Sequence, residues 1–539
     1  MRCQSRISIL FLSLCAAFPA AAVHLGSDGT GQVLLYPYYT ANADNNTLIS
    51  VVNSTANAKA LKVRFYESRN GRATLSFNLY LGAYDVWTAG VFSLGSGLSS
   101  AANLATLDSS CTVPAIQNNT TLPITGGGLR YIPFSDFAFT GANNDSDSNT
   151  LDRTREGFIE IIEMGTIVAG SATANALEAF APGSIGKPVN CDRIGLSFQA
   201  DGSYGSAQFG TMASDIGPPS GGLYGTGAII NVGLGAYINY NATALEAFRA
   251  TALHTLPISF SPNLSDADPI STVVTPERVI RSTWGSEPVG LANGVGQRID
   301  AVSSVLMAAN LSNEFSTEGS IGAASEWVIT MPTKRFYSDS LTSGSFVAIA
   351  PFTVPFNFGP TSNISERQYN ACEPVLPKMV SRAQEILQAT LFFQPPPPST
   401  LQNSPFLCSS VSVIAFNQEN VDTFSVATNP SKILGAMNGQ AFHTRSVLGL
   451  EANNGQMDLG LRSRTQYWMS LRSELDRLMR PSSDVKSHRF VGLPIIGFWA
   501  LSIENNNARP GVQGFYGGAF EHKRVRVCVS GSALNEACE

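Results

Sequence analysis

The chain has 539 residues, of which 14% are charged and 44% hydrophobic, and its formal net charge is −6. That length calls for two or three domains, and the acidic balance leaves no basic footprint for nucleic acid. A charge content well below the roughly 25% of ordinary globular domains removes the ionic faces that long helices present to water, so neutral surfaces of Ser, Thr, Asn and Gly point to β-structure.

Arg2 and Arg6 precede an apolar run from Ile7 to Phe18, which ends in Pro19-Ala20-Ala21-Ala22. This pattern predicts a secretory signal peptide over 1–22 and a secreted or extracellular protein, associated with a cell surface. No later stretch has 18 consecutive apolar residues, so no transmembrane helix is expected. Beyond the leader stand Cys111, Cys191, Cys372, Cys408, Cys528 and Cys538. An even count in an exported chain predicts three disulfides, and six cysteines allow 15 pairings. Pairing neighbours (111 with 191, 372 with 408, 528 with 538) is the economical choice, each bridge closing a loop within one region. No C-x-x-C pair occurs, which argues against a zinc knuckle.

In chain order, TLISVVN at 47–53 reads as a strand. Leu61, Val63 and Phe65 alternate with Lys62, Arg64 and Tyr66, and Leu75, Phe77, Leu79 and Leu81 alternate beyond Asn70-Gly71. Period-two alternation on both sides of Asn-Gly predicts a three-stranded antiparallel meander over 47–81, turned by a type I′ pair, one face buried and one wet. Residues 96–150 read as long loops stapled by Cys111. GFIEIIEM at 157–164 is a strand, 201–222 a loop or boundary, 228–240 a hairpin and 243–254 a short helix. Strands follow at 301–310, 327–331 and 345–350. Pro377–Gln388 reads as a helix, stopped by the four prolines 395–398. The remainder predicts strands at 411–416, 441–450, 456–462, 492–502 and 525–529, a turn at Asn453-Asn454-Gly455, and a helical turn or two over 471–479. No fixed-period repeat is present. The expected fold is all-β, with sandwich-like antiparallel sheets and a few short helices. It divides into an N-terminal sandwich-like domain (23–215), a middle β-rich domain (216–370) and a C-terminal β-rich domain with one helix and a Pro-rich loop (371–539).

Candidate chemistry is sparse. Asp145, Asp147 and Asn149 offer oxygen ligands at alternate positions, and Glu156 falls twelfth counting from Asp145, as in a calcium loop. Thr150 stands where such a loop needs glycine, so a solvated acidic loop is the preferred reading and Ca²⁺ the one cofactor the sequence suggests. Glu160 and Glu163 could serve glycoside chemistry, but on one strand they face opposite sides. Tyr36, Tyr38 and Tyr39 could stack on sugars, although tyrosine packs equally well in a strand. Ser184 with Lys187, and Ser483 with Lys486, match S-x-x-K without the K-T-G companion, a match that chance supplies.

The phrases GQVLLYPYYT, DNNTLISVVNSTANAKALKVRFYE, FNLYLGAYDVWTA, WVITMPTKRFY and GLPIIGFWA resemble a functionally unassigned family of exported bacterial β-rich surface-type proteins. The resemblance runs from residue 31 to about residue 500. It implies a bacterial exported protein and transfers no catalytic residue. The expected function is therefore a non-enzymatic structural or adhesive role at or shed from a bacterial surface, through self-association or surface glycans. The alternatives are a carbohydrate-binding or glycoside-cleaving secreted protein and, with less support, an outer-membrane β-barrel.

Overall fold

The computed structural model describes residues 22–145, 147–178, 188, 190–199, 204, 214–286, 296–339, 342, 348–353, 371–384, 386–388, 391–392, 406–417, 431–437, 440–443, 445–446, 453–468, 471–509, 512–531 and 536–538. The expected leader (all but Ala22), residues 345–347 of the strand expected over 345–350 and the four prolines fall outside them, while 348–350 are not strand. The molecule is all-β and sandwich-like, with four short α-helices among the described residues.

Four large sheets build it, joined among the described residues by five small ones of two or three strands. The first runs His24–Leu25, Thr243–Glu246, Val33–Thr40, Glu156–Ile167, Lys59–Glu67, Ala73–Leu81, Cys111–Val113, with Ile216–Gly217 added to Glu156–Ile167. The second runs Ala236–Asn241, Leu223–Asn231, Asn45–Asn53, Val86–Ser93, Ala102–Ala105, Tyr131–Pro133. The inner faces of these two meet in a core that holds Tyr36, Val63, Phe65 and Ile161 against Ile49, Val51, Trp87 and Ile229. The third runs Arg445–Ser446, Ile386–Gln388, Leu376–Ser381, Asn454–Gly460, Asn310–Ser316, Lys523–Val525. The fourth runs Leu391–Phe392, Gln440–His443, Val411–Asn417, Ala323–Thr330, Ile496–Arg509, Val512–Glu521. Its Trp327, Ile414 and Phe416 pack on Phe315, Met379 and Met457 of the third.

The two sandwiches share their cores. Val328, Val411, Val413 and Phe498 of the fourth sheet belong to the core of the first pair, and the ring of Tyr240 stacks on Phe498 at 4.8 Å. In return Val33, Leu35 and Ile162 of the first sheet belong to the core of the second pair, together with the helix Arg298–Leu306. Strands from both sides of residue 215 share the first two sheets, and strands from both sides of residue 370 share the last two. Disulfides join Cys111 to Cys191, Cys372 to Cys408 and Cys528 to Cys538, the three sequence-neighbour pairs.

Several local expectations are corrected. The 47–81 meander is split: Asn45–Asn53 joins the second sheet, while Lys59–Glu67 and Ala73–Leu81 pair in the first. Their connection is five residues long, and only Gly71, at φ +68°, takes the positive angle a type I′ pair needs twice. The Glu67 carboxylate takes over the turn by accepting from the backbone N–H groups of Arg69, Asn70 and Arg72. Nor has Lys59–Glu67 a wet face, since all nine residues are buried. Lys62 donates to the carbonyls of Leu256 and Pro257, and Arg64 to those of Ser259 and Pro262.

In place of the helix expected over Pro377–Gln388 stand two strands, Leu376–Ser381 and Ile386–Gln388, because Leu376–Ser381 pairs with Asn454–Gly460 and sets Met379 in the core opposite Met457. The strand Asn454–Gly460 itself replaces the expected turn, with Asn454 opposite Ser316. Thr243–Glu246 closes on Val33–Leu35 as a strand, and Ala247 at φ +51° prevents helical continuation. Leu471–Asp476 forms a hairpin with Ser463–Trp468. Residues 301–306, expected as strand, are helical, since the Asp300 carboxylate caps the Gln297 N–H at 2.6 Å and every residue from Ile299 to Leu306 is buried. A helix buried all round shows no period that distinguishes it from a strand. Short elements of this kind are decided by tertiary partners rather than by propensity.

Candidate functional site

The acidic loop, expected to be solvated and weighed as a calcium site, is instead enclosed and bound by arginines. Arg153 grips Asp145 through two nitrogens, at 2.8 and 2.5 Å, reaches Glu67 at 2.9 Å and lies over the Phe139 ring. Asp147 pairs with Arg69, and Arg72 bridges to Asp339 at 2.8 Å. Burial raises the Asp145 carboxyl, but the Arg153 hydrogen bonds and charge outweigh it and hold the group below its ordinary 3.8. Asn149 lies on the same loop. Glu156 turns away into the core, where it accepts from Ser68 Oγ at 3.0 Å, Tyr38 Oη at 3.1 Å and the Met437 N–H at 3.1 Å. Among the described residues no group of three His, Cys, Asp or Glu is arranged to hold a metal ion. The candidate ligands are therefore drawn apart: guanidinium groups neutralise two, and a third accepts from two hydroxyls and one backbone N–H.

The strand carboxylates form no cleft either. Glu160 pairs with Arg64 at 2.9 Å and Glu163 with Lys59 at 2.8 Å, all four side chains almost wholly enclosed. On opposite sides of the strand, both are buried because a second layer of chain covers each face of the first sheet. Tyr36, Tyr38 and Tyr39 are fully buried, their hydroxyls bonded to Ser50 O, Glu156 and Thr154 O. No ring face there is open to a sugar. Ser184 and Lys187 lie outside the described residues, and Ser483 Oγ donates to Thr283 O.

Two amines have perturbed environments: burial, with the nearby Arg64 charge, pushes Lys62 well down while it serves the 256–257 carbonyls, and Lys334 is the second. Lys334 Nζ donates to the carbonyls of Ala371 at 2.5 Å and Ser409 at 2.8 Å, the residues flanking the Cys372–Cys408 bridge. Burial pushes it down to about 7, against the pull of Glu373. Its hydrogen bonds and complete burial fit a tie across the bridge, with no path to substrate.

The surface offers more. A cleft of about 240 Å³ opens where the edges of the second and fourth sheets meet, with Ile238 and Phe515 among its apolar lining and the exposed Lys432 and Glu504 among its polar lining. That volume is below the roughly 300 Å³ at which drug-sized ligand pockets begin. The outer face of the second sheet is far larger. Cross-strand registers set Tyr224, Val52 and Val86 in one row, then Asn241, Thr226, Ser50 and Thr88, then Asn239, Ala228, Leu48 and Gly90, then Tyr237, Ile230 and Asn46. None of these fourteen residues is charged. Leu48, Val86, Tyr224 and Tyr237 are 43–54% exposed. A second exposed aromatic pair, Tyr516 and Phe520, stands on the edge strand of the fourth sheet.

No protein-family model, curated protein or solved structure matches the chain. Function therefore rests on geometry and chemistry alone. Tyr224, Tyr237, Tyr516 and Phe520 were not singled out in the sequence. The available signal was alternation of aromatic with Gly, Thr or Asn in LYGTG, AYINYN and GFYGGAF, where the non-aromatic partner on the same face carries no charge.

Proposed function

We propose that the chain is an exported, non-enzymatic protein that works by surface contact, in a structural or adhesive role at the bacterial exterior. The observation that carries this reading is the uncharged outer face of the second sheet. A face that exposes Leu48, Val86, Tyr224 and Tyr237 together has the composition of a contact surface. The three disulfides are compatible with an oxidising compartment. Among the described residues no helix is long and apolar enough to cross a membrane. Enclosure of Glu156, Glu160, Glu163 and Asp145 by donors and cations argues against glycoside cleavage by these carboxylates.

The test is surface labelling of intact cells with fractionation, on wild type and on a Leu48→Lys/Tyr237→Lys variant. The expected result is labelled, disulfide-bonded protein outside the cytoplasm, with attachment or assembly lost in the variant at unchanged melting temperature. Recovery of the protein in the cytosol with six alkylatable thiols would overturn the reading, as would robust turnover on a panel of polysaccharides and esters.

A further inference from the structure

We propose that the edge strand Val512–Glu521 carries a stacking platform for a linear, uncharged polysaccharide. The inference rests on the surface-contact reading and names the chemistry of one partner.

The strand reads Val-Gln-Gly-Phe-Tyr-Gly-Gly-Ala-Phe-Glu. Alternation puts Phe515, Gly517 and Ala519 on one side and Gly514, Tyr516, Gly518 and Phe520 on the other. The first side is committed. Ala519 packs on the shared core, Phe515 lines the cleft, and a Cβ on Gly517 would lie 2.7 Å from Ile238 and 2.9 Å from the Tyr237 carbonyl. The second side is open, with Tyr516 61% and Phe520 47% exposed.

Both rings lie back along the strand over a glycine. A Cβ on Gly514 would meet the Tyr516 ring and hydroxyl at 3.4 Å, and one on Gly518 would meet the Phe520 ring at 3.3 Å. A β-branched residue at either position would crowd its ring off the strand. Trp499 supports Phe520 from the neighbouring strand, centroid to centroid 4.9 Å, and the half-buried Leu501 and Ile503 stand opposite Gly518 and Tyr516. Shielding of edge glycines accounts for rings that lie down. It does not account for two aromatic rings left about half open to water on one side of the strand.

The strip selects its ligand by charge and shape. Leu501, Ile503, Asn505, Gly514, Tyr516, Gly518 and Phe520 include no group charged at neutral pH, and Glu504 points to the opposite face. An anionic or cationic polymer finds no counter-charge there. A pyranose ring has a flat C–H face that an aromatic face matches, with hydroxyls at its rim that stay in water. Tyr516 and Phe520 are four residues apart, a spacing of about 14 Å along an extended strand, so both can be covered at once only by a chain of several sugar units.

The test is affinity electrophoresis of the full disulfide-bonded chain through gels containing mixed-linkage β-glucan, xyloglucan or dextran, with alginate as the charged comparison. The expected result is retardation by at least one neutral polymer and none by alginate. Tyr516→Ala and Phe520→Ala should each weaken that retardation about tenfold. The double variant Gly514→Val/Gly518→Val keeps both rings and raises strand propensity, so it should stay folded and lose binding because the rings are lifted. Tyr224→Ala/Tyr237→Ala should bind as wild type. Failure of all three neutral polymers to retard wild type overturns the platform, and so does equal retardation of every variant. A dimer seen by light scattering and dissolved by Tyr516→Ala would mark the strip as a self-contact and also overturn it. A surface-exposed protein that is never retarded refutes the platform alone, whereas a retarded protein confined to the cytosol refutes the surface reading alone.

Discussion

Replacing Arg153 by Met tests the assignment of the acidic loop to structure rather than to metal. The Arg153 side chain has no exposure, and it holds Asp145 through two nitrogens, Glu67 through Nε and the Ser148 carbonyl at 3.0 Å. In the variant Glu67 keeps three backbone donors, but Asp145 retains only the Asp147 N–H at 3.1 Å and Arg72 at 3.7 Å. An enclosed carboxylate stripped of its main partner costs about 3–5 kcal/mol, a large share of the roughly 5–15 kcal/mol that keeps a domain folded. Urea denaturation followed by near-UV circular dichroism should show that loss. The double variant Arg153→Met/Asp145→Leu should recover part of it, because replacing both partners leaves no orphaned charge. The Asp145 carboxyl is held below its ordinary 3.8, so its contribution is present above that value and lost as the pH falls through the lowered one. The gap between wild type and Arg153→Met should therefore narrow in strong acid. A loss under about 1 kcal/mol, or no recovery in the double variant, refutes the argument.

Because arginines already neutralise Asp145 and Asp147, millimolar Ca²⁺ or EDTA should leave the melting temperature unchanged; a calcium-dependent rise would reinstate a calcium loop. His522 is buried with Nε2 donating to the Val328 carbonyl at 3.0 Å, and burial pushes it from 6.5 down to about 4. Its neutral form contributes stability that is complete above 6.5 and lost as the pH falls through about 4. His522→Leu should thus remove about 3 kcal/mol of acid sensitivity at pH 4, read from urea midpoints at pH 4 and 7. The Cys111–Cys191 bridge spans 80 residues and Cys528–Cys538 spans 10, so removing the first should cost about 4 kcal/mol and the second about 3, and calorimetry that finds the reverse order refutes the loop-entropy account. A Cβ on Gly225 would lie 2.0 Å from Tyr36 Oη and 2.4 Å from the Ser50 carbonyl, so Gly225→Ala should lose about 2 kcal/mol in the same denaturation assay.

Fold class was legible because alternation in LKVRFY and LSFNLYL has one physical meaning on an extended chain. The partners of those strands were not legible. Lys62, Arg64 and Tyr66 read as a wet face, yet carbonyls of 256–262 and the Arg335 guanidinium, 4.3 Å from the Tyr66 ring, cover them. Asp145 and Glu156 read as one ligand set because spacing is all a sequence offers. Arg153, eight residues from the first, and Met437, 281 residues from the second, decide their separate roles. The exposed aromatics escaped notice for a similar reason: Tyr36 and Tyr516 are alike in sequence, and only the sheet packed above one and absent above the other distinguishes them.

By itself the amino-acid order settled that the chain is built of paired strands, with three cysteine pairs available to staple it, because side-chain alternation and cysteine count are local properties of a covalent chain. Tertiary structure alone decided which charges are enclosed, which tyrosines meet water and where helix replaces strand. Those outcomes depend on partners hundreds of residues away, brought within reach only when the two sandwiches close on their shared cores.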